Sequence, residues 1–341
     1  MAKKNYHLTR EVNCAGCAAK LDQETLEALL KNKKFYRSEQ VLSGMETSDD
    51  AGVYKLPSGN LLVQTTDFFP PIVDDPYKFG QIATSNALSD IYVMGANPIT
   101  ALNLCCLPAE KYPPEVFEKI LEGSAERLKK AKCSLLGGHT IEDKELKFGI
   151  AATGLSEEKN IIKNTRARPG DILILTKPLG TGIATTAIKG DMCPEKTKNK
   201  VIKSMITLNS RAKDIMVKEN IKAATDITGF GLIGHALEMC RGSHVGMTIR
   251  LEDLPVFEGV FDLIDLGMLP AGSFKNKELN SKYVDLKNTK NSDIIYDAQT
   301  SGGVLMCVPK ENLPDINKEK IGKVIGEITE LKEDEKFIKI I

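Results

Sequence analysis

The segment Thr47-Ser-Asp-Asp-Ala-Gly-Val-Tyr-Lys-Leu-Pro-Ser-Gly-Asn-Leu-Leu-Val-Gln-Thr-Thr-Asp-Phe-Phe69 carries most of the fold information in this chain. From Val53 to Thr66 it reads as strand, turn and strand, with Pro57-Ser-Gly-Asn60 as the turn. For a loop of Ser58-Gly59, or of all four turn residues, paired positions have numbers summing to 117. That register sets Asp50 opposite Asp67, one entering the first strand and one leaving the second. Carboxylates facing each other across a strand pair repel unless a cation lies between them. As turn or cap residues beyond the ladder, the same two aspartates need no cation.

Working outward, residues 78–93 read as a helix with Phe79, Ala83, Asn86 and Asp90 on one face and Ala87 alongside. The small side chains below Asp90 leave room for another backbone or for a ligand. An apolar strand follows at 98–107, then an amphipathic helix at 114–130 with Val116, Phe117, Ile120, Leu121 and Leu128 at helical spacing. Strands at 134–138 and 146–153 complete this half. The polar stretch 156–171, ending in Arg168-Pro-Gly-Asp171, is the expected domain boundary. The second half opens with a strand at 172–175, and Gly180-Thr-Gly182 leads into a helix. Residues 275–291 read as a long surface loop or insertion. At 341 residues two domains are expected, and the alternation of strands and helices is that of an α/β (α+β) protein.

Composition excludes several classes of function. Lys+Arg and Asp+Glu are both 46, and no basic block recurs, which argues against nucleic acid or an anionic membrane as partner. The eight scattered cysteines read as reduced thiols of a cytoplasmic protein. The beginning of the chain has no apolar leader core, and no apolar run reaches membrane-spanning length.

Three groups of residues suggest chemistry. Cys14-Ala-Gly-Cys17-Ala-Ala-Lys20 joins a soft sulfur to a mobile cation; an ammonium favours the thiolate and also suits phosphate oxygens. Alone, the spacing serves equally as a redox or zinc Cys-x-x-Cys or a frayed terminus. Asp226 ends a short strand in Ala223-Ala-Thr-Asp-Ile-Thr-Gly-Phe-Gly-Leu-Ile-Gly-His235, with three glycines before the next helix. Dispersed aspartates that converge would suit magnesium, which takes hard oxygen ligands. Leu136-Gly-Gly-His139 following a strand, Lys177-Pro-Leu-Gly180-Thr-Gly182, and Gln299-Thr-Ser-Gly-Gly303 are stretches of the phosphate-handling type. The second departs from the dinucleotide fingerprint at Thr185 and Pro178 and reads better as a tight turn. There is no Gly-x4-Gly-Lys-Ser/Thr, so an ATP site would not be of the P-loop kind.

Taken in order, Cys17-x-x-Lys20, Thr47-Ser-Asp-Asp-Ala51, Thr65-Thr-Asp-Phe-Phe69, Asn86-Ala-Leu-Ser-Asp90, Gly137-Gly-His139, Thr176-Lys-Pro-Leu-Gly180, Asp226-Ile-Thr-Gly-Phe-Gly231 and Gln299-Thr-Ser-Gly-Gly303 resemble selenophosphate synthetase (selenide, water dikinase) over nearly the whole chain. The wider superfamily includes aminoimidazole ribonucleotide synthetase and thiamine-monophosphate kinase. The resemblance implies a two-domain aminoimidazole ribonucleotide synthetase-like fold, with an N-terminal mixed sheet pairing into a dimeric β-barrel and a C-terminal α/β sandwich. It implies a catalytic segment at 1–20, an ATP, Mg2+ and dimerisation domain at 21–157, and a C-terminal domain at 158–341. The implied reaction converts selenide and ATP to selenophosphate, AMP and orthophosphate, with Mg2+ and a K+-type ion. By resemblance Cys17 and Lys20 are catalytic, Lys20 also meeting the nucleotide. Thr47, Ser48, Asp49, Asp67, Asp90, Gly137, Gly138 and His139 bind nucleotide, and Asp50, Asp67, Asp90 and Asp226 bind metal. A homodimer is implied, together with a selenium-delivery partner of the cysteine desulfurase kind. Many members carry glycine where Cys14 stands and cysteine where Ala19 stands, so an oxidation-sensitive Cys14–Cys17 disulfide is an expectation peculiar to this chain. The competing readings are another ATP enzyme of the superfamily and a non-catalytic selenium or metal carrier.

Overall fold

The computed structural model describes residues 7–12, 16, 23–30, 33, 35–44, 49–286 and 291–341. In the first half, strands β1 (Val41–Ser43), β2 (Gly52–Lys55), β3 (Leu61–Phe69), β4 (Asn97–Leu107), β5 (Ser134–Glu142) and β6 (Lys147–Ser156) form a mixed sheet of order β1-β2-β3-β6-β4-β5. Only β4 and β5 run parallel. Helices α1 (Gln23–Leu30), α2 (Pro76–Val93) and α3 (Pro114–Ala131) belong to this half. The second half carries β7 (Ile172–Leu175), β8 (Ala223–Asp226), β9 (Gly246–Ile249), β10 (Val284–Leu286), β11 (Val304–Val308), β12 (Lys323–Thr329) and β13 (Ile338–Ile340). Their sheet has the order β10-β13-β9-β12-β7-β11-β8, and β13 runs parallel to both neighbours. Helices α4 (Thr181–Lys189), α5 (Glu195–Ile206), α6 (Ser210–Lys218), α7 (Gly231–Ser243), α8 (Val260–Asp265), α9 (Ala271–Asn280) and α10 (Leu313–Glu319) complete it. Among the described residues no helix is long and apolar enough to cross a membrane.

Helix α2 joins the two halves. Asp75 caps it by accepting from the Lys78 amide at 3.1 Å, and Pro76 suits its first turn. Its N-terminal part (Phe79, Ile82, Ala83) packs in one apolar core with Ile183, Val201 and Met205. Its C-terminal part (Ala87, Leu88, Ile91) packs in a second with Ile215, Val304 and Met306. Both cores therefore contain residues from both halves, and α2 is buried along nearly its whole length. This is why polar Asn86 and Ser89, fully buried on that helix, find partners in the second half.

Three expectations are corrected. The β2–β3 hairpin pairs Gly52 with Gln64 and Lys55 with Leu61, one residue away from the expected register. Its loop is Pro57-Ser-Gly59, closed by the Leu56 amide on the Asn60 carbonyl at 2.9 Å, with Gly59 at φ +89°. A three-residue loop ending in a left-handed residue absorbs the extra position, which only glycine does without strain. Asp50 is therefore not opposite Asp67; Asp67 pairs with Ile150 instead. The described part of the expected loop, residues 275–286, is regular structure: the end of α9, a 3-10 turn and β10. Polar Asn276 is buried there, donating to the carbonyls of Gly229 at 2.9 Å and Tyr296 at 3.1 Å, so its polarity serves the interior. Gly137-Gly-His139 stands inside β5 rather than after it, at a bulge that skips Leu136.

Candidate active site

Asp50 precedes β2, Asp90 lies near the end of α2, and Asp226 ends β8. One carboxylate oxygen from each lies within 4.8 Å of the other two. Thr225 donates to Asp50 Oδ1 at 3.0 Å, and Thr65 donates to Asp90 Oδ2 at 2.5 Å. Asp50 Oδ2 is buried and has no hydrogen-bond partner. Burial pushes the Asp50 carboxyl well above its usual range; the charges of Asp226, Asp90 and Glu238 push the same way, and the Thr225 hydroxyl opposes them. Three all-oxygen ligands crowded around an orphaned oxygen fit a divalent ion of the magnesium type.

Asp67 sits one rung along from this cluster. Thr65 and Asp67 share a face of β3, and Asn86 and Asp90 are one turn apart on α2. Thr65 reaches Asp90, and Asn86 Nδ2 donates to Asp67 Oδ2, so the two rungs lie side by side. Asp67 also lies in the cross-strand row Asp67–Ile150–Asn103–Gly138. Three strand spacings separate Gly138 from Asp67, about 14 Å. Gly137, Gly138 and His139 thus stand apart from the carboxylates, on a strand whose residues are all exposed. Asp49 accepts from the Ser43 hydroxyl and, at 3.1 Å, from the Asn164 amide.

Cys14, Cys17, Lys20, Thr47 and Ser48 lie outside the described residues, and with them the expected disulfide. Gly16 is described. Its amide donates to the Pro70 carbonyl at 3.1 Å, and its φ is +60°. A Cβ there would stand 2.5 Å from Ile72 Cγ2 and 2.6 Å from Thr300 Oγ1, so the backbone lies tight against the 299–303 loop. Upstream, Leu8 is buried in the core, Thr9 bonds Asp74, and Lys189 donates to the Val12 carbonyl at 2.7 Å. The six cysteines of the described residues are free.

The glycine turn after β7 offers no open phosphate cradle. The amides of Gly180 and Thr181 both donate to Gln299 Oε1 at 3.1 Å, and that of Gly182 to Asp297 Oδ2 at 3.1 Å. Two charged residues near the cluster carry no individual role in the sequence reading. Glu238 on α7 faces His235 Nδ1 at 3.2 Å. Lys177 is buried beside β7, and burial pushes its ammonium down to about 7 against the pull of Asp226. In sequence Lys177 opens the stretch Lys177-Pro-Leu-Gly180-Thr-Gly182, directly after an apolar strand, and nothing local marks it as buried.

Comparison with known proteins now decides the family. AIR synthase related protein, N-terminal domain, matches residues 48–156, and AIR synthase related protein, C-terminal domain, matches 168–339. Selenide, water dikinase of Caldanaerobacter subterraneus subsp. tengcongensis is 42% identical over 340 residues, covering 97% of this chain and 98% of that one. The chain belongs to the selenide, water dikinase family. The enzyme of that name from Clostridioides difficile is 40% identical over 351 residues, with both chains covered completely. The fold is shared more widely. A structure of AaThiL complexed with AMPPCP and TMP has a TM-score of 0.68 at 19% identity, covering 93% of this chain and 91% of that one.

Proposed function

We propose that the chain makes selenophosphate from selenide at the expense of ATP, water accepting the second phosphoryl group so that AMP and orthophosphate are released, and that Asp50, Asp90 and Asp226 hold Mg2+ for it. The observation carrying this reading is the convergence of three carboxylates, one with an orphaned oxygen, from both halves of a chain of this family. Bound there, Mg2+ would offset triphosphate charge, which anionic selenide must otherwise overcome. Asp67, held by Asn86 next to that cluster, is the fourth ligand of the proposal. The nucleotide's phosphates are placed at the carboxylates in this reading, and Gly137, Gly138 and His139, on the exposed strand three spacings along the same sheet, are the proposed contacts of its far end.

Cys17 is the proposed carrier of the soft chalcogen and Lys20 the proposed partner of the phosphates. The seat of Gly16 on Thr300 supports both, since the peptide next to Thr300 touches Asn86. A homodimer is part of the same reading. Among the described residues strand β5 is an edge strand paired only with β4, exposed throughout, and Phe68, Leu102, Leu136 and Ile141 present apolar surface on the same sheet. An exposed apolar edge invites pairing with a second copy. The protein's proposed setting is the cytoplasm.

Phosphorus NMR of the purified protein with ATP, Mg2+ and selenide under anaerobic conditions tests the activity. The expected result is a phosphorus–selenium species appearing together with AMP. Turnover of ATP to ADP alone, or no turnover with selenide present, would overturn it.

A further inference from the structure

The acidic cluster needs its two halves in register, and one buried side chain touches both segments that set it. Lys177 Nζ donates to the Thr207 carbonyl at 2.7 Å and to the Ser301 carbonyl at 3.0 Å. Thr207 caps the C-terminal end of α5, where a cation is favourably placed. Both segments bear directly on α2. Beside Thr207, the Ile206 carbonyl accepts from the Ser85 hydroxyl at 2.9 Å, and Asn209 donates to Ser89 Oγ at 2.8 Å and to the Gly302 carbonyl at 3.0 Å. On the other segment, the Ser301 amide donates to Asn86 Oδ1 at 2.6 Å.

Ser301 bears costs that its side chain does not repay. It is a non-glycine residue at φ +48°, a left-handed conformation in which a side chain crowds the backbone. Its hydroxyl is buried with no hydrogen-bond partner. Such a residue persists where the surrounding structure over-determines its backbone. Here the backbone is held from both sides, the carbonyl by Lys177 and the amide by Asn86. The amide bond to Asn86 Oδ1 fixes which way that side chain faces, and so aims Asn86 Nδ2 at Asp67.

We propose that Lys177 is a positioning residue for the divalent ion: it clamps the backbone of Ser301 through its carbonyl, which holds the Ser301 amide that orients Asn86, which orients Asp67 next to Asp90 and Asp226. The proposal rests on the metal reading above. Outer partners of this kind typically cost ten- to a hundredfold in metal affinity when removed.

Binding of Mn2+ alone, followed by the EPR signal of the free ion, tests this without turnover. Lys177→Met should weaken Mn2+ binding tenfold or more. A lysine acting only as a charge near Asp226 predicts the opposite, because its removal would tighten binding of a cation. Asn86→Ala should weaken Mn2+ binding similarly. The double variant should be no worse than the weaker-binding single, since both act through the backbone of one residue, Ser301. Lys177→Gln keeps an N–H donor without the charge and should show a smaller loss of the same sign; it decides the matter if the methionine variant does not fold. Unchanged or tighter binding in the Lys177 variants, or losses that multiply in the double, would overturn the proposal while leaving the metal site standing. A parent protein that binds no Mn2+ would overturn the metal reading and this one together.

Discussion

Replacing Asp226 by Asn separates what the carboxylate cluster costs the fold from what it gives the ligand. The three clustered carboxylates each place an oxygen within 4.8 Å of the others. At that distance and an effective dielectric of 20, a pair of unit charges repels by about 3.5 kcal/mol. Asp226 faces two such neighbours, and because Asp50 holds its proton more tightly than an ordinary carboxyl, the repulsion from that one counts for less than a full unit charge pair. The relief in Asp226→Asn is then about 2–4 kcal/mol without metal. With an unfolding entropy of ~2 cal/mol/K per residue, 341 residues turn this into a Tm about 3–6 °C higher in EDTA. In Mg2+ the order should reverse: the parent rises in Tm and the variant gains little. Titration calorimetry with Mg2+ and a non-hydrolysable ATP analogue should show at least tenfold weaker binding. A variant less stable than the parent in EDTA, or one with the parent's Mg2+-induced shift, would refute the electrostatic reasoning.

Other outcomes follow from the same geometry. Cys17→Ser should abolish selenophosphate formation with Tm and ATP binding unchanged, since oxygen is a far poorer soft nucleophile; the anaerobic phosphorus assay checks it. Gly16→Ala puts a methyl group against Ile72 and Thr300 at φ +60°. It should cost about 1–2 kcal/mol in seating the segment before Cys17, lowering kcat about tenfold while Tm moves by a degree or two. The raised pKa of Asp50 sets a pH dependence. The folded state holds that proton more tightly than the unfolded chain, so metal-free stability falls as pH rises from the ordinary 3.8 through the raised value. Mg2+ displaces the proton, so the Mg2+-induced rise in Tm should grow with pH across that window; a shift constant with pH would contradict the assignment.

What the sequence revealed, and what it hid, follows from the range of the forces involved. The helix at 76–93 and its Asn86/Asp90 face are written in local periodicity, and the strand at 172–175 in a run of four apolar residues. Asp226 was legible because strand, carboxylate and glycines are contiguous. The hairpin register was missed by one residue because Gly59 alone decides between two loop lengths, and one slip moves every partner. Asn276 stands in a polar run read as surface, and Lys177 in a stretch read as a tight turn or phosphate contact, yet both are buried, and their partners are carbonyls distant in sequence that no local pattern announces. The left-handed backbone at Ser301 is likewise imposed from outside the residue, so no glycine marks it.

One consequence reaches back to synthesis of the chain. Asp50 and Asp90 leave the ribosome early, whereas Asp226 lies well past the midpoint and docks only once β8 pairs with the still later β11. A nascent or truncated polypeptide ending before Val308 therefore has two of the three acidic groups but not the strand that seats the third. If the three carboxylates hold the proposed divalent ion, affinity for it is a property of the finished molecule, which partly made copies lack.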